Sequence, residues 1–275
     1  MPELPEVETI ARGLDQRIAG DVIESVWLGS KPEPLKSSAG EIAKTLESKQ
    51  ISSVRRVGKH IVFDLTPSEN GKSVPLGNQA QWIVHLGMTG SLRVSPPEAE
   101  LEKHTHAIVR LASGRELRFV DPRRFGRLSV IEKFQAPGAE PLQISFEDFI
   151  PLFRGRKTPI KSALLNQKLL SGVGNIYADE ALFRARIRPR RRAASLTRDE
   201  LRRLHAALKK VLKAAIRAGG SSISDYVDAN GDEGFFQLKH RVYGREGKPC
   251  VVCKTPIKRI VIAGRSSHYC PHCQK

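Results

Sequence analysis

The chain has 275 residues, enough for two compact units and a small appendage. Lys and Arg number 46 against 29 Asp and Glu, a formal charge of +17 that matches a polyanion; nucleic acid is favoured over an anionic membrane, for which basic and apolar residues would have to sort along one long helix. No apolar run approaches the roughly 18–20 residues of a membrane helix, and the start MPELPEVE lacks the basic-then-apolar order of a secretion signal, so a cytoplasmic protein is expected.

From Pro5 to Ile18 the pattern predicts a helix. Pro5 suits a first turn, Glu6 and Glu8 complement the positive end of the dipole, and Val7, Ile10, Leu14 and Ile18 recur at helical spacing. Short β-like runs follow: VIESVWL, ISSVRRV, HIVFDL, QWIVHL, SLRV, AIVRL, ELRFV and RLSVI, with turn signals at ENG, SPP and ASG. So many short strands without long intervening helices suggest a β-sandwich or barrel over about 22–131. The segment EKFQAPGAEPLQ reads as a linker. Beyond it the period turns helical, in SFEDFIPLF behind a Ser145 cap, in PIKSALLNQKLL, in NIYADEALFRA, and in a long helix from Thr197 to Gly219. That last helix opens on a capping box with Glu200. The fold class expected is α+β and multidomain. It comprises an N-terminal β-sandwich with its helix over 2–134, a helical domain over 145–240, and a cysteine-bearing C-terminal tail over 241–275.

The four cysteines, Cys250, Cys253, Cys270 and Cys273, form two CxxC pairs sixteen residues apart. Four thiolates in two chelating turns predict one closed, structural Zn²⁺ holding a short hairpin; His268 and His272 are surplus donors that read as surface. Arg259 and Arg265, with Lys254 and Lys258, make that hairpin a candidate phosphate or groove reader, or else a solvated ribbon. In GVGN, Gly172, Gly174 and Asn175 precede a helix whose free N–H groups suit a phosphate, although a plain interhelical turn fits equally. The cluster Arg184, Arg186, Arg188 and Arg190 to Arg192 reads as solvated, nonspecific charge.

The N-terminus is unusual. Removal of Met1 exposes Pro2 as a secondary amine able to attack an aldehyde-like carbon, with Glu3 and Glu6 beside it as proton donor and orienter. A frayed terminus with a helix-capping PE pair explains the same residues.

Six motifs in order, MPELPEVET, GKH, HLGMTGSL, DPRRFG, GVGNIYADE and the four-cysteine finger, resemble the formamidopyrimidine-DNA glycosylase family over essentially the whole chain. The resemblance implies a β-sandwich, a helix–two-turn–helix domain and a zinc finger. It also implies a bifunctional glycosylase and AP lyase acting, as a monomer, on double-stranded DNA containing oxidised bases, 8-oxoguanine and formamidopyrimidines among them. By position it implies Pro2 as nucleophile, Glu3 as proton donor, Glu6 as supporting carboxylate, Lys59 in the β-elimination and Arg265 in the δ-elimination. It further implies that His104, Arg123, Lys157 and Asn175 hold the DNA backbone, and that Met88, Arg123 and Phe125 fill the gap left by an extruded nucleotide. Taken without the family, Met88 and Phe125 read as core and Arg123 as surface. The stretch from Ser221 to Phe236 departs from the family pattern, with Ser224 where some members carry lysine, which leaves the lesion preference open. The alternatives are an endonuclease VIII-type enzyme for oxidised pyrimidines, disfavoured by PELPE in place of PEGPE and by DPRRFG, and a noncatalytic zinc-finger DNA-binding protein, which would need neither the Pro2–Glu3 start nor Lys59.

Overall fold

A computed structural model describes residues 2–67, 80–222 and 233–275. Met1, the ENG turn and Ser224 lie outside the described residues. The chain forms two compact units, one of residues 1–135 with 221–234, the other of 136–220 with 235–275.

The first unit opens with α1 (Leu4–Ile18), whose Val7, Ile10, Leu14 and Ile18 are all buried, the stripe expected from their spacing. Among the described residues eight strands follow: β1 (Ile23–Leu28), β2 (Lys49–Val57), β3 (His60–Pro67), β4 (Ala80–His85), β5 (Ser91–Ser95), β6 (Thr105–Leu111), β7 (Glu116–Val120) and β8 (Arg127–Ile131). They make two antiparallel four-stranded sheets, ordered β1-β6-β7-β5 and β2-β3-β4-β8. One hydrophobic core runs through this unit, from Val7 and Leu14 of α1 through Phe63, Trp82 and Phe119 to Leu128. Asp15 Oδ1 accepts the Val54 amide at 2.7 Å, tying α1 to β2 just past the irregularity between Ile51 and Ser53.

One α-helix of the described residues escaped the sequence pattern. Ala39–Leu46 is a helix, α2, capped by the Ser38 hydroxyl on the Glu41 amide at 3.2 Å. The Ser-x-x-Glu signature was there, but eight residues give only two turns, and only Ile42 and Leu46 are buried.

In the second unit the expected helix at SFEDFIPLF divides into α3 (Phe146–Phe149) and a 3₁₀ turn at Ile150–Leu152, because Pro151 withholds a donor. The expected helix at PIKSALLNQKLL is α4 (Ile160–Leu165) and stops there. Asn166 leaves the helical region and its side chain accepts the Lys168 amide at 3.0 Å. Next come α5 (Asn175–Ala185) and α6 (Arg198–Arg217), the latter opened by the Thr197–Glu200 capping box. The helix α6 does sort basic from apolar residues, but Leu201, Leu204, Leu208, Val211 and Leu212 are buried inside the unit, so that face is core and not a membrane surface. The finger hairpin is β9 (Lys258–Ile262) and β10 (Arg265–Tyr269), joined by Ala263 and Gly264, both at positive φ (46° and 74°), as a two-residue hairpin turn matching the strand twist requires.

Candidate active site and zinc centre

Pro2, Glu3 and Glu6 are all buried, so the terminus is not frayed, whereas the capping half of that reading holds: Glu3 and Glu6 form a capping box on α1. Glu3 is the N-cap of α1, and its amide donates to Glu6 Oε2 at 2.9 Å. The other oxygen of Glu6 accepts the Ser221 amide at 2.8 Å. A single carboxylate thus bonds the backbone next to Pro2 and the entry of the distant 221–234 segment.

Lys59 sits in the two-residue turn between β2 and β3, where Val57 pairs with His60. That turn is held from α1. Glu8 Oε2 lies 2.7 Å from Arg56 Nε, and Arg56 donates a second N–H to the Gly58 carbonyl at 3.1 Å. The Arg56 side chain is only 6% exposed, so this pair is screened little by solvent. Beside the turn, His60 faces His85 across β3 and β4 with ring centroids 4.9 Å apart. Burial holds His85 down to about 4, helped by the charges of His60, Lys59 and Arg127. Its neutral Nδ1 can therefore accept the Gly87 amide at 3.1 Å.

Met88, Arg123 and Phe125 stand on two loops of this unit that touch. A Cβ on Gly87, already at φ +64°, would fall 2.5 Å from the Phe125 carbonyl carbon, so only glycine permits the approach. Asp121, fully buried, joins the loops: Oδ1 accepts the Thr89 hydroxyl at 2.6 Å, and Oδ2 accepts the Gly126 amide at 2.7 Å. The result is an exposed apolar pair. Met88 is 42% and Phe125 51% exposed, which corrects the reading of both as core, and the Arg123 guanidinium lies 4.7 Å from the Phe125 ring centroid. His104 is exposed, and its carbonyl accepts the Asp121 amide at 3.0 Å.

The second unit carries Lys157, Asn175 and Arg265. Lys157 is exposed in the loop before α4. Asn175 is the first residue of α5, behind Gly174 as N-cap, at the positive end of the helix dipole, which suits an anion. The preceding loop is stitched by Gln167, whose Nε2 donates to the Leu165 and Val173 carbonyls, both at 2.9 Å, and whose Oε1 accepts the Gly172 amide at 2.9 Å.

The four cysteine sulfurs lie within 4.8 Å of one another, with Cys253 and Cys270 Sγ 3.4 Å apart and Cys250 and Cys273 Sγ 3.9 Å apart. Tetrahedral thiolates at about 2.3 Å from Zn²⁺ stand about 3.8 Å from each other, so this donor set fits the ion. The Val252 and Cys273 amides, each 3.4 Å from a sulfur, point at the Cys250 and Cys270 thiols. His268 is not on the surface as expected. It is buried at 7% exposure, its ring edge-on to Tyr243 at 5.1 Å and its Nδ1 3.4 Å from Asp179 Oδ2. His272 is exposed.

Several residues that organise these groups were not singled out from the sequence. Asp121 lay in plain view at the head of DPRRFG. Glu180, buried on α5, accepts the amides of Arg241, Val242 and Tyr243 at 2.9, 2.9 and 3.1 Å, and burial raises its pKa. No local signal marks a carboxylate for partners some sixty positions away.

Comparison with known proteins agrees with this architecture. Residues 1–128 match the formamidopyrimidine-DNA glycosylase N-terminal domain, 137–227 the H2TH domain of the same glycosylases, and 247–275 the zinc finger found in FPG and IleRS. The chain is 47% identical to a formamidopyrimidine-DNA glycosylase of Solibacter usitatus and 39% identical to one of Listeria innocua, each match covering 100% of both sequences. Among solved structures it resembles a Lactococcus lactis FPG mutant in complex with a Fapy-dG containing DNA, at TM-score 0.89 and 34% identity over 100% of both chains. It also resembles the MutM (FPG) protein of Thermus thermophilus, at TM-score 0.85 and 42% identity, covering 99% of this chain and 98% of that one.

Proposed function

The chain belongs to the formamidopyrimidine-DNA glycosylase family, and on that footing we propose that it excises oxidised purines from duplex DNA and then cuts the strand, with Pro2 as nucleophile once Met1 is removed. The observation that carries this reading is the burial of Glu3 and Glu6 beside Pro2, with the Glu6 carboxylate engaged on the Glu3 amide. The Pro2 nitrogen forms a bond to C1′ of an extruded nucleotide as the C1′–base bond breaks, and Glu3 supplies the proton that opens the sugar to an iminium. Loss of a C2′ proton, assisted by Lys59, gives an enamine whose electron pair moves into the C2′–C3′ bond and expels the 3′ phosphate. Loss of a C4′ proton then expels the 5′ phosphate, a step assigned to Arg265; water hydrolyses the Pro2–C1′ iminium to free the sugar fragment, and a one-nucleotide gap remains.

Met88, Arg123 and Phe125 occupy the space of the extruded nucleotide, in keeping with their exposure on joined loops. His104, Arg123, Lys157 and Asn175 hold phosphates. The domains 2–134, 145–240 and 241–275 divide these tasks into chemistry, duplex binding and finger. When bound, Zn²⁺ supplies no chemistry: four thiolates close its coordination, and the cysteines hold the hairpin that presents Arg265. Among the described residues no helix is long and apolar enough to cross a membrane, and we place the protein in the cytoplasm, acting as a monomer.

Borohydride reduction during turnover tests the reading. Trapping of a covalent complex on an 8-oxoguanine duplex is expected. No trapping on any damaged duplex makes the chain a binding protein, and trapping confined to oxidised pyrimidines makes it an endonuclease VIII-type enzyme.

A further inference from the structure

Arg265 is exposed, and the strand behind it belongs to a ribbon of two strands. A two-stranded hairpin is marginally stable alone. The zinc ligands grip its base at Cys270, but Arg265 lies at the other end of β10, directly after the Ala263–Gly264 turn. Something else must fix that end if the guanidinium is to meet a reacting sugar.

The side chains that do so come from α4 and α5. Lys161 and Asp179 are both wholly inaccessible to solvent, with Lys161 Nζ 2.7 Å from Asp179 Oδ1. Lys161 Nζ also donates to the Ser266 carbonyl at 2.6 Å, and Asp179 Oδ2 accepts the His268 amide at 2.8 Å. Each member of the pair therefore binds backbone of β10, one at the residue adjoining Arg265 and one two residues further. The Ser266 hydroxyl is approached in addition by Asn175 Nδ2 at 3.5 Å. Burying two charges is costly, and an apolar pair of the same volume packs at least as well; what an apolar pair lacks is a cationic donor for one strand group and an anionic acceptor for the next.

We propose that the buried Lys161–Asp179 pair is a positioning device for Arg265, fixing the tip of β10 so that the second elimination follows the first. It rests on the assignment of Arg265 made above. The bonds that the pair makes to β10 go to Ser266 and His268, and Pro2, Glu3 and Lys59 belong to the other compact unit. Its loss therefore acts on how the strand-cleavage products are divided and spares base release.

The experiment compares the wild-type protein with K161M/D179N, which removes both charges together, with K161R, and with R265A. Zinc content and thermal unfolding are measured first, then single-turnover base release and the ratio of β- to β,δ-elimination ends on an abasic duplex. In zinc-loaded K161M/D179N the share of β,δ product is expected to fall about tenfold, the scale of a small misplacement of a reacting group, with base release nearly unchanged. K161R keeps the charge and the donor and retains the wild-type ratio. A wild-type ratio in K161M/D179N beside a shifted ratio in R265A overturns the proposal alone, as does an equal loss of base release and of both eliminations. A wild-type ratio in R265A overturns the Arg265 assignment and this proposal with it. Should the double variant fail to hold zinc, D179N, which keeps an acceptor for the His268 amide but turns an N–H₂ toward Lys161 Nζ, decides by the same ratio.

Discussion

Glu6 accepts the amide of Ser221 at 2.8 Å, a bond between residues 215 positions apart, while its other oxygen accepts the amide of Glu3. The first turn of α1 and the start of the 221–234 segment are thus fixed by one buried side chain.

Glu6→Gln is expected to damage both ends at once. Glutamine keeps one acceptor and turns an N–H₂ toward the other amide, leaving a buried donor unsatisfied at a cost of about 1–3 kcal/mol. Thermal unfolding should register that loss, and single-turnover base release should slow by more than the stability change explains. A variant with wild-type rate would show that Glu6 is structural only.

Pro2→Gly is expected to reduce excision of 8-oxoguanine to the background of a protein-free control while binding to an abasic-site duplex persists. Gel-shift and excision assays on one preparation check this. Full activity in that variant, or Met1 still attached in active protein by intact mass, removes Pro2 from the role.

Stability should fall as the solution is acidified below neutrality. Burial holds His85 and His240 down to about 4 in the folded chain, against 6.5 for a free imidazole. Both are neutral when folded, so between pH 6.5 and about 4 the unfolded chain binds more protons, and folding stability is lost as pH drops through that window. The total is on the order of a few kcal/mol, from about 1.4 kcal/mol per pKa unit discounted for partial solvent screening. Denaturant midpoints at pH 7.5 and pH 5 measure it; equal midpoints would mean that these imidazoles are not held neutral.

Binding to duplex DNA should weaken steeply with salt. Each phosphate neutralised contributes a slope of about 0.9 in log affinity against log salt. Substituting Lys157 by alanine is expected to lower that slope by about one phosphate's worth, uniformly across sequences. A salt-independent affinity would place the +17 surplus away from the DNA.

The elements legible in the sequence are those whose cause is local. Val7, Ile10, Leu14 and Ile18 announce α1 because four side chains on one stripe need nothing beyond a helical period, and the two CxxC turns announce zinc because chelation is set within a few residues. The motifs likewise marked Pro2, Glu3 and Lys59 as candidates. What the sequence left open is where side chains end up once elements pack. Two turns of α2 carried too little periodicity to separate from the strands around it. Met88 and Phe125 have the composition of core residues and stand exposed, because Asp121 and the bare Gly87 bring their loops together at the surface. Lys161, Asp179 and Ser266 are spread over 105 positions, and Glu6 and Ser221 over 215, yet each set meets within hydrogen-bond distance. Local propensity acts over a turn or two of chain, whereas which buried charge finds which backbone group is decided only when the tertiary structure excludes water between them.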